Sequence, residues 1–424
     1  MRKLDVSIEM CGRQREVGSI IGDTEYSASF CYSEDYLRQN DARPVSLSLP
    51  LRSEPYTPEE TRRFFEGLLP EGFLRRTVAE NNRTDNSDYL SLLELLGSEC
   101  LGAIQIKGDN YRMVVPEYRE LDTEMMFRIA SEGASTSADL VVEAHLSLTG
   151  ASGKIGAYLD RDGKWYLPVG SAPSTHILKQ SHIRYDHIVQ NEQLALQTAA
   201  CLGLEIPRSF IVATDRSTAA EEMLFATERY DRTLIGSVDK ISGLPCPLRL
   251  HQEDFGQALG IPASEKYEKG GEHHMRRMFD ILRRYSASPI EDQMRLWDII
   301  VFHWLIGNTD GHIKNLSLIY DPHLKSVRLA PAYDIVSTVV YDTHSHTMAF
   351  AIGGESDWYN VRRECFEAAA DELRLSRRIF MERFDDLSGR FDGALSEAVV
   401  IMTETGFGEA EELASRLRDR RAML

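Results

Sequence analysis

Apolar and polar residues alternate near the start of the chain. Leu4, Val6, Ile8 and Met10 fall on one face at a period of two, with polar residues between them. Because successive side chains of a β-strand point to opposite faces, this alternation predicts a half-buried antiparallel strand. Residues 46–49, which read Ser-Leu-Ser-Leu, repeat the alternation and predict a second strand.

Helical periodicity follows, with recognisable start signals. Thr57 can cap a helix, Pro58 suits its first turn, and Glu60 completes a capping box. Residues 288–291, which read Ser-Pro-Ile-Glu, predict a second capping box. The helix that they open is expected to end at Gly307, because glycine readily adopts the left-handed conformation of a helix C-terminus.

Strand and helix patterns divide the chain into three predicted segments. Residues 1–110 mix both patterns and form a small N-terminal α+β subdomain. Residues 111–231 are rich in strand patterns, interrupted by a helix at 191–202, and residues 232–424 are mainly helical. Strands first and helices afterwards predict an α+β protein with two lobes and a cleft between them.

The composition restricts the class of protein. Hydrophobic residues make up 42% of the chain and charged residues 27%, as in folded globular proteins. The formal net charge of −18 argues against an extended basic surface that would bind DNA alone. The six cysteines form no CxxC pair, which is typical of reduced thiols in a cytoplasm. We recognise neither a signal peptide nor an apolar run of about 20 residues, so we expect a cytoplasmic protein without membrane contact.

The strongest chemical signal follows Gly307. Asp310 stands at the end of the predicted helix, in a loop with two glycines, and Asn315 follows five positions later. Kinase catalytic loops use this Asp-x-x-x-x-Asn spacing, because the carboxylate orients the attacking hydroxyl and the amide oxygen binds magnesium. Asn, Asp and Gly also form polar turns, so this loop alone leaves an ordinary turn as the alternative.

A second acidic position follows a short strand-like run at residues 327–330. Asp334 ends this stretch, where a kinase places the aspartate that binds magnesium between the β- and γ-phosphates. A surface turn or a helix N-cap also accepts an aspartate. The two motifs in this order, with a strand between them, are far more specific than either motif.

A lysine precedes both motifs in the chain. Lys179 ends a predicted buried strand, on one face with Thr175 and Ile177, from which its ammonium could reach the α- and β-phosphates. A lysine at a strand end is usually a solvated edge residue. The position of Lys179 between a Gly-rich segment and an acid-bearing helix favours the phosphate-binding role over that of a solvated edge residue. Glu192, at the start of that helix, is the candidate ion-pair partner.

The Gly-rich segment covers residues 147–156, which read S-L-T-G-A-S-G-K-I-G. Its glycines let backbone N–H groups approach phosphate closely. The segment is not a Walker A loop, because its glycines lie too close together and Ile155 replaces the required Ser or Thr. Many hairpins are equally rich in glycine, so the segment alone is a weak signal.

Taken in order, these motifs resemble the HipA family, the kinase toxins of bacterial type II toxin–antitoxin systems. The resemblance covers the chain from about residue 64 to residue 334. It rests on residues 64–72, 147–151, 175–179, 228–232 and 252–254, on the loop of Asp310 and Asn315, and on Tyr333 and Asp334.

The resemblance implies a kinase-like fold and a role for individual residues. Asp310 would be the catalytic aspartate, and Asn315 and Asp334 would bind Mg2+. Glu228 and Tyr230 would lie in the hinge that faces adenine. The other residues that it implies for ATP binding are Lys179, His312, Gly150, Ala151, Ser152, Gly153 and Lys154.

Ser147 matches the family's autophosphorylated serine, whose modification expels the phosphate loop and shuts the kinase down. Thr149 is an alternative phosphoacceptor, and an ordinary strand-end serine is the plainer interpretation of Ser147. The sequence departs from the family at residues 152–154, where Ser-Gly-Lys replaces the usual Gln-x-Lys. The family's detailed phosphate-loop contacts are therefore not carried over.

The resemblance predicts a Ser/Thr protein kinase that uses ATP and Mg2+ and causes growth arrest or persistence. Family members phosphorylate aminoacyl-tRNA synthetases, so such an enzyme is the first protein substrate to test. The expected partner is a HipB-like helix-turn-helix antitoxin, which would connect the chain to DNA only indirectly.

Two other functions stay open. The chain could act mainly as a corepressor that binds its antitoxin, although the intact set of Lys179, Asp310, Asn315 and Asp334 argues against a purely non-catalytic protein. It could also be a small-molecule kinase of the aminoglycoside or choline type. Residues 64–72 and Ser147 favour a HipA protein over that reading.

Overall fold

Strands dominate the first part of the chain and helices the last. The structure, a computed structural model, describes residues 2–108, 114–132, 140–141, 153–181, 185–214 and 222–424. The strands are β1 (Arg2–Met10), β2 (Arg13–Gly22), β3 (Ser29–Tyr32), β4 (Ile104–Gly108), β5 (Glu117–Leu121), β6 (Lys154–Leu159), β7 (Trp165–Val169), β8 (His176–Gln180), β9 (Ser209–Val212), β10 (Leu224–Glu228), β11 (Arg232–Thr233), β12 (Lys240–Ile241), β13 (Leu244–Pro245), β14 (Leu248–Arg249), β15 (Gln252–Asp254), β16 (Ser317–Tyr320), β17 (Val327–Leu329), β18 (Thr347–Ile352) and β19 (Glu355–Asp357).

The helices are α1 (Glu34–Leu37), α2 (Pro58–Phe65), α3 (Gly72–Asn81), α4 (Tyr89–Leu96), α5 (Thr123–Ser131), α6 (Ile188–Cys201), α7 (Phe255–Leu259), α8 (His274–Tyr285), α9 (Pro289–Ile306), α10 (Arg363–Glu372), α11 (Arg377–Glu404) and α12 (Glu409–Arg421). Single 3-10 turns lie at Glu66–Leu68 and Ala263–Glu265. Across the described ranges, no helix combines the length and the apolar character that crossing a membrane requires.

The predicted α+β class is confirmed, and the chain forms two compact units. The first comprises Met1–His182, Val212–Ala263 and Ile319–Ser326. The second comprises Ile183–Ile211, Ser264–Leu318 and Val327–Leu424. The division into segments at residues 110 and 231 stays a prediction.

The N-terminal strand forms as its alternation predicts. Leu4, Val6 and Ile8 are fully buried on one face of β1. β1 pairs antiparallel with β2 and with β4, and β3 extends the sheet beyond β2. Helix α2 packs against this sheet, with the ring centroids of Phe65 and Phe30 separated by 5.1 Å.

The strand predicted at residues 46–49 is wrong. The segment is a tight turn, in which the Leu49 N–H donates to the Ser46 carbonyl over 3.1 Å. A proline lies two residues before the segment and another directly after it. Prolines lack the N–H group that a strand ladder needs, so they favour a turn here. The Ser46 hydroxyl donates instead to the buried Glu253.

A second sheet of the first unit contains the predicted phosphate-binding strands. β5, β7, β6, β8 and β10 lie side by side in this order, and each neighbouring pair is antiparallel. The strand predicted to end at Lys179 forms as β8, which runs one residue further, to Gln180. Tyr118 and Tyr158, with ring centroids 4.3 Å apart, belong to an apolar cluster of this unit.

One of the two predicted capping boxes is confirmed. The Glu60 N–H donates to the Thr57 hydroxyl at 3.2 Å, and the Thr57 N–H donates to the Glu60 carboxylate at 2.8 Å. This reciprocal pair satisfies two backbone donors at the start of α2, which helix termini otherwise leave unpaired.

The capping box predicted at Ser288 is wrong. Ser288 does precede α9, but within the described structure its side chain makes no capping bond. Its N–H donates to the Ser286 hydroxyl at 3.0 Å, and Glu291 pairs with Arg328 at 2.8 Å. Both groups that the box requires are therefore engaged elsewhere.

Helix α9 forms the base of the second unit's core. Its Trp297 is fully buried and meets the rings of Phe366 on α10 and Phe380 on α11, with centroids 5.7 and 5.3 Å away. Burying an aromatic side chain of this size contributes about 2–3 kcal/mol. The packing holds α9 rigidly, and with it the loop that leaves its C-terminus.

The first unit buries a network of six charged side chains, namely Glu9, Glu99, Arg229, Asp231, Arg232 and Arg249. The Glu99 carboxylate lies 3.2, 2.8 and 2.7 Å from the guanidiniums of the three arginines in chain order. Burial raises the pKa of the Glu99 carboxyl, but the guanidiniums outweigh it and hold that pKa below its ordinary value. Three carboxylates therefore balance three cations within the network.

Candidate active site

The predicted catalytic loop begins where α9 ends, at Gly307. This glycine has a φ of 70°, in the left-handed region, as the sequence predicts for the helix end. A Cβ atom here would lie 2.2 Å from Val339 Cγ2, so a side chain does not fit. The Gly307 carbonyl accepts from the Thr338 N–H at 2.9 Å and from its hydroxyl at 3.0 Å. The first turn of the loop is therefore fixed.

Buried polar groups hold the two residues before Asp310. The Thr309 N–H donates to the Thr338 hydroxyl at 2.9 Å, and the Thr309 hydroxyl donates to the Ser345 carbonyl at 2.9 Å. The Asp310 N–H donates to the Asn308 side-chain oxygen at 3.0 Å. Asp310 itself is half-buried. A rigid backbone therefore presents its carboxylate.

The loop brings Asp310, His312 and Asn315 together in one turn. The Asn315 Nδ2 donates to the Asp310 carbonyl at 3.0 Å, and the His312 N–H donates to the same carbonyl at 2.8 Å. With its nitrogen bonded to the loop, the Asn315 amide can offer its Oδ1 to a cation. The hydrogen bond explains why the motif needs an amide at this spacing.

Asp334 has a φ of 56°, a left-handed conformation that costs a residue with a side chain about 1–2 kcal/mol. Contacts on both sides hold it. The Tyr333 hydroxyl lies 2.6 Å from the Ser317 hydroxyl. Beyond Asp334, the Asn191 amide of α6 both donates to and accepts from the Ser337 backbone, at 2.9 Å each. Strain held in this way is typical of functional positions.

The electrostatic surroundings of Asp310 raise its pKa above the ordinary value. Burial raises the pKa of Asp310, and the charge of Asp334 raises it further. A hydrogen bond from Tyr267 and the charges of Lys266 and His344 act in the opposite direction. A carboxylate whose pKa is raised by a second carboxylate nearby marks a site where a divalent cation is favourable.

Tyr267 also contacts Asp310, although no pattern in the sequence marks it as a site residue. Its hydroxyl donates to Asp310 Oδ1, and its ring meets the His312 ring edge to face, with centroids 5.2 Å apart. A single tyrosine in a loop has no motif spacing or periodicity around it. Asn191 was missed for the same reason, because nothing in the sequence marks which residue of α6 bonds to the segment after Asp334.

The predicted phosphate-binding lysine lies in the first unit. Lys179 of β8 is the register partner of Lys154 on β6 and of Phe225 on β10. Residues opposite each other in a sheet share a face, so both lysines project to one side. Both side chains are buried, and the Lys179 Nζ lies 5.4 Å from the Phe225 ring centroid. Two ammonium groups on one face suit a polyphosphate.

The remaining described candidates are spread through both units. Gly153 precedes β6, and its carbonyl accepts from the Gln180 N–H at 3.2 Å. Glu228 ends β10, and the Tyr230 hydroxyl donates to the Gln252 side chain. Glu192 is buried inside α6, which begins at Ile188 rather than at residue 191. The hinge roles and the pairing of Glu192 with Lys179 stay predictions.

Part of the phosphate loop falls outside the described residues. This applies to Ser147, Thr149, Gly150, Ala151 and Ser152, so their predicted roles stay predictions.

The donor set in the second unit fits Mg2+. Asn315 and Asp334 offer oxygen ligands, which Mg2+ prefers, and a kinase completes the coordination with substrate phosphates and water. A site of this type needs few protein ligands. Accordingly, the part of the chain that the structure describes holds no cluster of three or more His, Cys, Asp or Glu residues placed for a metal.

Two family models match most of the sequence. Residues 8–107 match the HipA N-terminal domain, and residues 146–395 match the HipA-like C-terminal domain. A provisionally named kinase of Sinorhizobium fredii, Y4mE, is 35% identical over 381 residues, which are 88% of this chain and 87% of that protein. The serine/threonine-protein kinase toxin HipA of Shewanella oneidensis is 25% identical over 396 residues, 90% of this chain and 87% of that toxin.

The fold matches a solved structure of the HipA, HipB and operator DNA complex from the Shewanella oneidensis toxin–antitoxin system. The TM-score is 0.78 over 98% of this chain and 96% of the matched chain, at 23% identity. The predicted kinase-like fold of the HipA type is therefore confirmed.

Proposed function

Because the chain belongs to the HipA family, we propose that it is a Ser/Thr protein kinase that transfers the γ-phosphoryl group of ATP. The observation that carries the proposal is the loop of Asp310. Asp310 is half-buried, and bonds of Thr309 and Asn308 fix its backbone. The Asn315 side chain donates a hydrogen bond to the Asp310 carbonyl. Asp334 is close enough to shift its pKa.

In the proposed transfer, the residues have separate roles. Asp310 orients the hydroxyl of the protein acceptor and receives its proton as the bond to the γ-phosphorus forms. The bond from the γ-phosphorus to the β–γ bridging oxygen breaks, and ADP leaves. Lys154 and Lys179, paired across β6 and β8, bind phosphate oxygens. Asn315 and Asp334 would hold Mg2+, which would supply positive charge near the transferred phosphate. Catalysis then depends mainly on positioning and on charge stabilisation.

The proposal includes self-inactivation. Ser147 is the autophosphorylation site, with Thr149 as the alternative, and the modification stops further transfer. The support is the matching segment at residues 147–151 and the match of residues 146–395 to the HipA-like C-terminal domain. Growth arrest follows from phosphorylation of a protein target, for which an aminoacyl-tRNA synthetase is the first candidate.

A HipB-like antitoxin is the proposed partner. The matched Shewanella protein was solved with HipB and operator DNA, and this chain shares its fold over nearly the whole length. A net charge of −18 makes direct DNA binding unfavourable, so contact with DNA is proposed to pass through the basic partner.

Mass spectrometry of the purified chain after incubation with magnesium and ATP tests this function. We expect one added phosphate, on Ser147, in the wild type and none in Asp310→Asn, which keeps the side-chain shape but removes the base. Asp280→Asn is the matched control, because Asp280 lies in an exposed ion pair with Arg283 on α8. Equal phosphorylation of Asp310→Asn and wild type would contradict the assignment, and no phosphate on any variant would favour the small-molecule kinase or corepressor.

A further inference from the structure

Tyr267 places a hydroxyl group on the proposed catalytic carboxylate. It lies in the second unit, between the 3-10 turn at Ala263–Glu265 and helix α8. Its hydroxyl donates to Asp310 Oδ1, although 45% of the residue is exposed to solvent. The ring therefore reaches the carboxylate from the solvent side of the loop.

The neighbouring backbone fixes this position. The Glu268 N–H donates to the Ala349 carbonyl of β18 at 2.8 Å. The Glu268 carboxylate accepts from the His274 N–H, at the start of α8, at 3.0 Å. On the other side, the Tyr267 ring rests against His312 of the catalytic loop. The residue after Tyr267 is thus anchored to β18 and α8, while the Tyr267 ring itself lies against the catalytic loop.

The bond has the same form as the one that a kinase base makes with its substrate. In phosphoryl transfer, the acceptor hydroxyl donates to the catalytic aspartate before it attacks phosphorus. We propose that Tyr267 is a specificity-determining residue, which occupies the acceptor's place on Asp310 until a protein substrate displaces its hydroxyl. This inference rests on the proposed kinase function.

The acceptors that Tyr267 excludes are water and small hydroxyl compounds. If water took the place on Asp310, its oxygen would bond to the γ-phosphorus as the bond to the β–γ bridging oxygen breaks. One water proton would pass to Asp310, and ADP and inorganic phosphate would leave. A docked protein substrate makes additional contacts with the kinase, and their binding energy can displace the Tyr267 hydroxyl. A water molecule makes no such additional contacts. Tyr267 therefore limits wasteful ATP hydrolysis.

Tyr267→Phe tests the inference, because it removes the hydroxyl and keeps the ring against His312. The first assay measures ATP hydrolysis by the full chain without any protein acceptor. We expect the rate to rise about tenfold, the factor that one lost hydrogen bond to a charged group gives. The second assay follows phosphorylation of myelin basic protein, whose KM should fall while kcat stays unchanged. A merely structural tyrosine would not separate KM from kcat in this way.

Two further variants control the experiment. Tyr285→Phe removes the hydroxyl of another partly exposed tyrosine, at the end of α8, and should leave both assays unchanged. Adding Asp310→Asn to Tyr267→Phe should abolish the extra hydrolysis, because that hydrolysis requires the base.

Two results would overturn the inference and leave the kinase function standing. One is a hydrolysis rate in Tyr267→Phe that equals or falls below that of an active wild type. The other is phosphate on Tyr267 itself, which would show that its hydroxyl accepts the phosphoryl group and does not merely occupy the place of the acceptor. If the wild type showed no ATP hydrolysis or phosphoryl transfer that Asp310→Asn abolishes, the kinase function would be contradicted, and the inference with it.

Discussion

At the scale of single residues, burial sets the charge state of Glu253. This carboxyl is fully enclosed in the first unit and accepts from the Ser46 hydroxyl, the Leu47 N–H and the Tyr320 hydroxyl. Burial raises its pKa to about 7, although these three bonds act to lower it. The folded protein therefore binds this proton more tightly than the unfolded chain does.

Glu253 predicts a stability change with pH. Because its folded pKa is raised, its stabilising contribution is complete below the unfolded value of about 4.5 and is lost as pH rises through 7. In Glu253→Gln, which stays neutral, the melting temperature relative to wild type should rise between pH 5 and pH 8. The difference corresponds to at most about 3 kcal/mol. If the melting temperatures of the two proteins changed equally with pH across this range, Glu253 would be ionised normally in the folded protein.

At the scale of elements, glycine geometry shapes the catalytic loop. Gly307 ends α9 in the left-handed region, against Val339. Four residues later, a Cβ on Gly311 would lie 2.1 Å from the His303 ring nitrogen. The loop can fold back on α9 only if neither position carries a side chain. This fold of the loop positions Asp310.

Gly307→Ala should damage both stability and activity. We expect a loss of about 2 kcal/mol or more in the free energy of unfolding, because the left-handed backbone and the contact with Val339 both become unfavourable. Phosphoryl transfer should fall as Asp310 shifts. Gly389→Ala is the matched control, since Gly389 lies inside α11 with open space around it and should gain about 0.5–1 kcal/mol. Denaturant unfolding compares the two, and equal stabilities would contradict this account of the loop.

Elements whose signals are local could be read from the sequence. The alternation of β1, the capping box of α2 and the glycine end of α9 depend on neighbours in the chain, and all three are confirmed. The strand at residues 46–49 is wrong because flanking prolines favour a turn, which bonds to the distant Glu253 hold in place. The box at Ser288 is wrong because Glu291 pairs with the distant Arg328. Tyr267 could not be found, since its role depends only on a contact across 43 positions.

At the scale of the molecule, buried charges join the two matched family domains within the first unit. Glu9 and Glu99 belong to the N-terminal match, whereas Arg229, Arg232 and Arg249 belong to the C-terminal one. Their ion pairs are almost completely shielded from solvent. The N-terminal domain is therefore part of the same folded body as the lysine-bearing sheet of β6 and β8.

Glu99→Gln should destabilise this body strongly. It leaves three buried guanidiniums with two carboxylates, and an uncompensated buried charge costs about 3–5 kcal/mol. Glu117→Gln is the control, because Glu117 pairs with Arg119 on the exposed edge of β5 and its loss should change little. Urea unfolding of both variants measures the difference. Similar midpoints for the two variants would mean that the network contributes little.

The measurement that tests the central claim most directly pairs nucleotide binding with phosphoryl transfer in Asp310→Asn. Calorimetric titration with ATP and magnesium should give an affinity within about threefold of wild type, because Lys179, Asn315 and Asp334 are intact. The rate of phosphate transfer to myelin basic protein should fall by about 10²- to 10⁴-fold, as for loss of a general base. Retention of the wild-type transfer rate alongside normal ATP binding would contradict the assignment of Asp310 as the catalytic base.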